Sequence, residues 1–439
     1  MRKLVNVVAR AVERNPHQRV AESDLRSWTF VAAIQIGTTI CVPLFALGGQ
    51  LGSHQRFLDL IPAVLFGASI VFALASLTGY VGMKARVPTA ILVRQTFGDM
   101  GAKLVAAILI FTLFGWFGIQ TEVLAHSVQA LLQPELGITL NSTMMTVLAG
   151  ILMSSTAIIG FRALGKLAYV AVPLLLCVIA VPSWIAVTTH DVGPIMRAPS
   201  TDVPYSFGLV VSIVSGGYMV AVAIAPDVTR FLSSSRDNLI GMFVSFGIAY
   251  PVLLLLSSML AVIYGSGDLI AIMISAGVGL PALAVIILAT WTSNDKNLYE
   301  SALSLSALFP QVERWKLTAV AAVLGTALAA ANIFEYFLPA LIFLGIVIAP
   351  VAGVYVVDFA FDADRYRQGM PSEGLRPAPF VAWIIGSGVG IMTLPASSYG
   401  LGFLTLTSIP TVDAILCAAL VHTIFCGFLK PRFYRSQAS

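Results

Sequence analysis

Long uncharged apolar runs recur in this chain from Trp28 almost to the C-terminus. A helix that crosses the hydrocarbon of a membrane needs about 20 consecutive apolar residues, because no water is there to bond free backbone groups. Of the 439 residues, 58% are hydrophobic and 10% are charged, which is too apolar for a soluble globular protein of this length. The sequence therefore predicts an all-α integral membrane protein.

We distinguish twelve such runs, and each is interpreted as one transmembrane helix. Their approximate ranges are 28–50, 59–83, 104–132, 142–161, 167–188, 205–226, 239–264, 269–293, 317–332, 333–357, 378–396 and 406–429. The boundary between the ninth and tenth runs is the least marked, since these two runs are contiguous. The charged residues that follow the eighth run, Asp295, Lys296 and Glu300, are expected near the cytoplasmic end of its helix.

Basic residues concentrate in every second connection between the runs. Six Lys and Arg residues precede the first run, whereas the intervening connections hold only Arg56 and Arg197. By the positive-inside bias we expect both termini in the cytoplasm, in agreement with an even number of spans in a plasma or bacterial inner membrane. This bias explains the net charge of +4 and gives no reason to expect a nucleic-acid partner. The N-terminal segment lacks the pattern of a removable signal peptide.

The four cysteines give no sign of a disulfide framework or a zinc site. Cys41, Cys177, Cys417 and Cys426 all lie inside apolar runs, without the pairing typical of metal ligands. No arrangement of a nucleophile with a base is recognisable, so we do not expect an enzyme. No feature indicates an obligatory protein partner, and the lipid bilayer is the expected surrounding.

The order of the runs predicts two similar units. The first five runs cover 28–188 and the next five cover 205–357. Because five is odd, two consecutive units must lie in opposite orientations, which is an inverted repeat. Two further helices follow in 378–429. The segments 1–27 and 430–439 are expected in the cytoplasm.

Two of the apolar runs are interrupted near their middles. The first contains QIGTTICVPLFALGG, with Gly37 and Pro43, and the sixth contains SIVSGGYMVAVAIAP, with Gly216 and Gly217. Paired interruptions at corresponding positions of two halves are a sequence indicator of a transporter binding site. A glycine-rich contact between helices is the alternative explanation for the first, and a glycine kink beside a core tyrosine is the alternative for the sixth.

Hydroxyl residues at the end of the eighth run suggest a cation site. Ala289, Thr292 and Ser293 have helical spacing and share one face. Two hydroxyls and a carbonyl from this face, with carbonyls of Gly37 and Ile40, would provide five neutral oxygens suited to sodium. The hydroxyls could instead bond back to their own helix.

The third run carries residues suited to a planar ring. Trp116 and Gln120 are four residues apart, so the indole offers a stacking surface beside an amide that can bond an N–C=O edge. Tyr218 in the sixth run could cover the second face of the ring, while the backbone at Gly216 and Gly217 bonds its rim. Ordinary helix packing of these side chains is the alternative.

Two ionisable residues of the third run are candidates for proton coupling. Glu122 and His126 stand four apart, and ionisable groups at membrane depth are frequently functional. They could equally lie at the wet interface.

Several motifs in order resemble the nucleobase:cation symporter family, which includes cytosine, purine and uracil permeases and allantoin and hydantoin transporters. The motifs are QIGTTICVPLFALGGQLG, GYVGMKARVPT, GWFGIQ, PDVTRF and TWTSNDKNLYESAL, and the resemblance covers roughly residues 20–310. It implies twelve transmembrane helices in a five-plus-five inverted repeat like that of sodium:amino-acid symporters. It also implies alternating access and nucleobase import coupled to sodium or protons.

Carried over by position, the resemblance places the ion between the carbonyls of Gly37 and Ile40 and the cluster in the eighth run. It places the ring between Trp116 and Tyr218 and adds Asn294 and Asn297 as candidates for the base edge. Gln120 matches the hydantoin and allantoin branch, whereas Asn294 with Asp295 matches cytosine permease, so the substrate stays open. We expect a sodium-coupled nucleobase importer, with a proton-coupled permease or a passive channel as alternatives.

Overall fold

The computed structural model describes residues 19–429 except 40, 138–140, 160–173, 175, 178, 200–201, 268, 278, 310 and 369–373. In this part of the chain nearly all residues are helical and no β-strand occurs, although two isolated bridges join Arg26 to Leu232 and Gly98 to Leu375. Helices satisfy their backbone groups internally, as the bilayer requires. The all-α prediction is confirmed.

The helices of the first half follow one another with short connections. They are α1 (Trp28–Thr39), α2 (Val42–His54), α3 (Phe57–Ala85), α4 (Thr89–Leu136), α5 (Ser142–Ile159), α6 (Ile179–Thr189) and α7 (Val192–Arg197). The second part of the chain contains α8 (Phe207–Gly216), α9 (Met219–Ala223), α10 (Pro226–Thr229), α11 (Ser235–Tyr264), α12 (Leu269–Ser275), α13 (Gly279–Leu308), α14 (Arg314–Ala330), α15 (Ile333–Phe361), α16 (Ala363–Gln368), α17 (Pro377–Thr393) and α18 (Pro410–Ile424).

Five of the described helices are long and apolar enough to cross a membrane, or six if the bent pair α1 and α2 forms one span. The five are α3, most of α4, α11, α15 and α18 with its short continuation. Shorter apolar helices, α5, α6, α8 and α17, occupy other predicted spans. The count of twelve and the inverted repeat stay predictions, since much of the fifth run lies outside the described residues.

Two predicted boundaries change in the structure. The eighth run is not one helix: α12 ends at Ser275, Gly277 has a φ of 77°, and α13 starts at Gly279 and continues to Leu308. A positive φ is readily adopted by glycine and ends a helix. The placement of Asp295 near a helix end is therefore wrong, because it lies well inside α13 with 2% of its surface exposed.

The contiguous ninth and tenth runs are two helices, as predicted. Asn332 lies between α14 and α15 with a φ of 56°, and this left-handed residue turns the chain. Asparagine tolerates that conformation better than most residues other than glycine.

The third run begins earlier than hydropathy suggests. The helix α4 starts at Thr89 and is broken at Gly98, whose φ is 76°.

Both interrupted runs are broken helices. The first breaks between Thr39 and Val42, and the axes of α1 and α2 differ by 61°. The sixth breaks at Gly217 and Tyr218, between α8 and α9. The hydroxyls of Thr38 and Thr39 donate back to the carbonyl of Gln35 at 2.9 and 2.8 Å. The two hydroxyls at the end of α1 thus bond to a carbonyl of their own helix, one turn before the break.

A buried charged network joins α15 to α16, α17 and α18. Asp358 of α15 accepts two hydrogen bonds from the guanidinium of Arg376, at 2.9 and 3.2 Å. Tyr366 donates its hydroxyl to the same carboxylate at 2.6 Å, and His422 of α18 lies 3.1 Å from it. Arg376 also donates to the carbonyls of Gln95 and Thr96, the last turn of α4 before its break at Gly98.

Candidate functional site

The aromatic part of the candidate site lies where α4 meets the start of α15. Trp116 is half-buried, and its ring meets Phe337 edge to face at 5.8 Å and 84°. Phe337 in turn stacks on Phe334 at 5.5 Å and 19°. The three rings form an aromatic wall, and Trp116 is its member on α4.

Gln120 is buried one helical turn beyond Trp116. Only 2% of its surface is exposed, and its Oε1 has no hydrogen-bond partner among the described residues. An unpartnered buried acceptor costs about 1–3 kcal/mol, so it is found where a ligand or water supplies the missing donor. Trp116 and Gln120 thus offer a stacking surface and a free acceptor at adjacent positions.

Tyr218 connects the break in the sixth run to the break in the first. It is 4% exposed and contacts Tyr250 and Phe246 of α11, with ring centroids 4.6 and 5.1 Å away. Its hydroxyl lies close to the hydroxyls of Thr38 and Thr39. The Tyr218 hydroxyl does not form a well-aligned hydrogen bond with either threonine, so it has no partner in the described part of the chain.

The two glycines before Tyr218 allow close packing. Gly216 lies against the carbonyl of Leu341 on α15, and a Cβ at Gly216 would overlap that oxygen. A Cβ at Gly217 would lie 3.0 Å from the hydroxyl of Tyr250, which itself donates to the carbonyl of Val214 at 2.6 Å. Gly216 therefore lies at a close contact between α8 and α15.

The residues assigned to the cation lie on α1 and α13. Gly37 is in the last turn of α1, where carbonyls have no partner further along their own helix. Ser293 is half-buried on α13. Ile40 lies outside the described residues, as do the side chains of Ala289 and Thr292. The broken end of α1 can therefore offer backbone oxygens, while α13 contributes a hydroxyl.

The two asparagines of α13 make contacts within the protein. The amide nitrogen of Asn294 lies 3.1 Å from the carbonyl of Phe117 and 3.0 Å from the sulfur of Met153. Asn297 donates to the side-chain oxygen of Asn294 at 3.2 Å. Asn294 therefore holds α13 to α4 and α5.

Glu122 and His126 occupy different environments. Glu122 is 2% exposed, and its Oε2 accepts a hydrogen bond of 2.9 Å from the backbone N–H of Phe334. His126 is exposed one turn further along α4. The structure therefore separates the two candidates: Glu122 is bonded to the start of α15, and His126 is at the surface.

Two charged side chains in the middle of α13 are partly buried and lie close to each other. The ammonium of Lys296 lies 3.6 Å from the carboxylate of Glu300, and both side chains are about one-fifth exposed (23% and 20%). An ion pair between residues one helical turn apart partly offsets the cost of burying these two charges in the middle of α13. Asp227 of α10 accepts from the backbone N–H of Thr89 at 2.7 Å and so holds the start of α4.

A mostly apolar cavity lies apart from these residues. Side chains of α4, α15 and α17 line it, among them Ile108, Val351 and Trp383. Trp116, Gln120 and Tyr218 do not. The edge of a heterocycle needs polar partners that this lining does not provide. The cavity is therefore not the candidate ring site.

Sequence reasoning missed the neighbours of the candidate ring residues. Phe337 contacts Trp116, and Phe246 and Tyr250 contact Tyr218, but each comes from a distant part of the chain. Nothing in their local sequence distinguishes them from other aromatic residues in apolar runs. Asp358 is different, because a carboxylate inside the apolar run VVDFAF is visible in the sequence. An ionisable group at membrane depth needs a partner, so Asp358 could have been recognised as the centre of a polar network.

Comparison with known sequences gives one family and several relatives. The family described as permeases for cytosine/purines, uracil, thiamine and allantoin matches residues 20–403. Cytosine permease of Escherichia coli (strain K12) is 28% identical over 354 residues, covering 81% of this chain and 82% of that protein. Hydantoin permease of Microbacterium maritypicum is 22% identical over 434 residues, covering 93% of this chain and 87% of the relative.

Solved structures share the fold. The inward-facing conformation of Mhp1 superposes with a TM-score of 0.78 at 18% identity, covering 94% of this chain and 95% of that one. Mhp1, a nucleobase-cation-symport-1 family transporter, in a closed conformation with bromovinylhydantoin bound gives a TM-score of 0.74, again at 18% identity, with coverage of 93% and 94%. At such identity the likeness shows the fold alone.

Proposed function

Because the chain belongs to the family of permeases for cytosine/purines, uracil, thiamine and allantoin, we propose that it imports a nucleobase or related planar heterocycle by sodium-coupled symport with alternating access. Membership makes it an integral membrane permease and not an enzyme. The observation that carries the substrate class is the buried, unpartnered Oε1 of Gln120 one turn from Trp116. A heterocycle with an N–H at its edge supplies the missing donor while its face covers the indole.

In this proposal Trp116 stacks on one face of the ring and Gln120 accepts from its edge. Tyr218 moves over the second face on closure, guided by the flexible backbone at Gly216 and Gly217. Asn297 is a further candidate for the edge. Asn294, whose amide is bonded to Phe117, acts by holding α13 in register with α4.

Sodium would bind between the broken end of α1 and the hydroxyl face of α13. The proposed ligands are the carbonyls of Gly37, Ile40 and Ala289 and the hydroxyls of Thr292 and Ser293. Neutral oxygens suit a monovalent cation, and the end of α1 at Thr39 leaves terminal carbonyls free to provide some of them. An ion that joins α1 to α13 favours the state in which the ring site is formed, and this differential affinity is what couples ion to substrate.

The proposed architecture is the two five-helix units 28–188 and 205–357 in opposite orientations, with the helices of 378–429 added. The breaks after Thr39 and after Gly216 support it, since they fall at corresponding positions of the two units. Both termini, including the segments 1–27 and 430–439, would lie in the cytoplasm. The membrane would be the plasma membrane, which in a bacterium is the inner one.

A proton-coupled permease for allantoin, hydantoin or a similar ring is the second candidate. The observation that favours it is Glu122, a carboxylate that is 2% exposed at membrane depth and lies near the candidate ring residues. A passive channel is disfavoured, because broken helices beside a closely packed aromatic wall are typical of carriers and not of open pores.

The deciding experiment is uptake into proteoliposomes of cytosine, uracil, adenine, hypoxanthine, allantoin and hydantoin, each in sodium and in choline. We expect uphill uptake of at least one ring that is stimulated by sodium. Uptake that is unchanged in choline but abolished by a protonophore would support the second candidate, and no uptake of any ring would overturn the proposed substrate class.

The sodium ligands are tested by replacing Thr292 and Ser293 together by alanine. Loss of two of five oxygens should remove most of the sodium stimulation. Ser301→Ala on the same helix is the control, since that hydroxyl bonds back to the carbonyl of Asn297 at 2.6 Å. Unchanged sodium stimulation in the double variant would reject this site.

A further inference from the structure

The start of α15 is capped by a side chain from another helix. Asn332, the residue before α15, forms no side-chain capping bond. The carboxylate of Glu122, 212 residues earlier in the sequence, accepts from the backbone N–H of Phe334 at 2.9 Å. The first N–H groups of a helix have no partner within it and carry partial positive charge, so a carboxylate there stabilises the helix start.

The same hydrogen bond fixes the aromatic wall. Phe334, whose N–H is held, stacks on Phe337, and Phe337 meets Trp116 edge to face. Trp116 and Glu122 both lie on α4, whereas Phe334 and Phe337 lie on α15. The two helices are therefore joined at two places, by the hydrogen bond at Glu122 and by the ring contact at Trp116. A change at Glu122 is therefore transmitted to the ring that faces the proposed substrate, although Glu122 does not belong to the wall.

The carboxylate of Glu122 has few charged neighbours. The groups that act on it electrostatically are His126, one turn along its own helix, and Glu335 on α15. On the adjoining surface of α4, α14 presents Gly325, Leu328 and Ala329 to Gly118. Because Glu122 is 2% exposed, the bond to Phe334 is its main compensation for burial.

We propose that Glu122 is a positioning residue for ring binding: its carboxylate holds the start of α15 so that Phe334 and Phe337 keep Trp116 oriented to stack on the ring. This inference rests on the proposed function and deepens it. An oxygen at this position accepts from the N–H of Phe334, whereas a methyl group in its place would leave that N–H without a partner.

The test is equilibrium binding of cytosine to the full chain in nanodiscs. Glu122→Ala removes the cap and should weaken binding about five- to tenfold. Glu122→Gln keeps an oxygen that can accept from Phe334, so it should restore most of the affinity. Glu313→Gln, which removes an exposed carboxylate next to α14, is the control and should leave the affinity for cytosine unchanged.

Backbone hydrogen exchange over residues 331–340 provides a readout that needs no substrate. Exchange should be faster in Glu122→Ala than in the wild type and unchanged in Glu313→Gln. Unchanged exchange in Glu122→Ala, or a loss of affinity in Glu122→Gln as large as that in Glu122→Ala, would overturn the positioning role. If exchange is faster in Glu122→Ala but the wild type binds none of the six rings of the uptake panel, the proposed function is overturned. The role of Glu122 in holding the start of α15 would still stand.

Discussion

At the scale of single residues, the side-chain amide of Gln120 is expected to lower the stability of the unliganded protein and to strengthen ligand binding. Its Oε1 is buried without a partner in the described part of the chain, which raises the free energy of the unliganded protein. A side chain selected only for packing would not keep such an atom. The arrangement is expected where a ligand donor completes the site, since functional groups are often held at a cost to stability.

Gln120→Met should therefore have opposite effects on two measurements. The thioether keeps the unbranched shape and removes the unpartnered acceptor, so the thermal unfolding temperature without ligand should rise. Affinity for the transported ring should fall about 10- to 100-fold, corresponding to about 1–3 kcal/mol for an unpaired edge donor. Gln129→Met, further along α4, is the control and should leave ring affinity unchanged. Lower stability with unchanged affinity would identify Gln120 as a packing residue.

At the scale of helices, the break in the sixth run depends on close contact with α15. Gly216 lies directly on the carbonyl of Leu341, and a Cβ added at Gly345 would lie 3.2 Å from the Cα of Gly216. Small residues allow helix backbones to approach where no hydrophobic force drives them together. The position of Tyr218 is set by this contact, because Tyr218 follows the two glycines.

Gly216→Ala should push α8 away from α15 and displace Tyr218. We expect a lower unfolding temperature and at least a tenfold loss of transport, since backbone on both sides cannot yield as a flexible side chain would. Gly388→Ala on α17 is the control, because no atom lies within 4 Å of the Cβ that it adds. That control should be neutral or slightly stabilising, as alanine favours helix over glycine. Equal behaviour of the two variants would contradict the proposed contact.

The network around Asp358 is a second interaction between helices. Asp358→Asn leaves the guanidinium of Arg376 without its counter-charge in a buried site, which is expected to destabilise the protein by about 3 kcal/mol. Thermal unfolding of the purified protein checks this. Asp59→Asn breaks an exposed ion pair with Arg56 and should have little effect, because solvent screens such pairs. An unchanged unfolding temperature in Asp358→Asn would show that the network contributes no net stability.

The sequence predicts the elements of this protein better than their contacts. The breaks after Thr39 and Gly216 are predicted by clusters of glycine and proline, which weaken a helix locally, whereas the single prolines Pro62 and Pro350 lie inside continuous helices. The end of α13 did not follow from hydropathy, since the pair Lys296 and Glu300 compensates charges that a hydropathy count treats as a boundary. The contact of Phe337 with Trp116 depends on how two distant helices pack, and local sequence does not encode it.

At the scale of the whole molecule, the distribution of basic residues predicts how the chain crosses the membrane. Alkaline phosphatase fused after Ser439 should be inactive, and a fluorescent protein there should be bright, because both report a cytoplasmic C-terminus. Alkaline phosphatase fused after Arg197, which ends the short helix α7, should be active. The reverse pattern would contradict the proposed orientation and, with it, the direction of import.

The network at Asp358 also bears on biosynthesis. Arg376 and His422, which contact this carboxylate, follow it by 18 and 64 residues. When Asp358 emerges from the ribosome, α18 with His422 has not yet been synthesised, so one of the groups that contact this buried carboxylate is still absent. We therefore expect α15 to reach its final packing only after α18 has been synthesised. The last helix of the chain would thus complete the assembly of a helix that contributes to the aromatic wall.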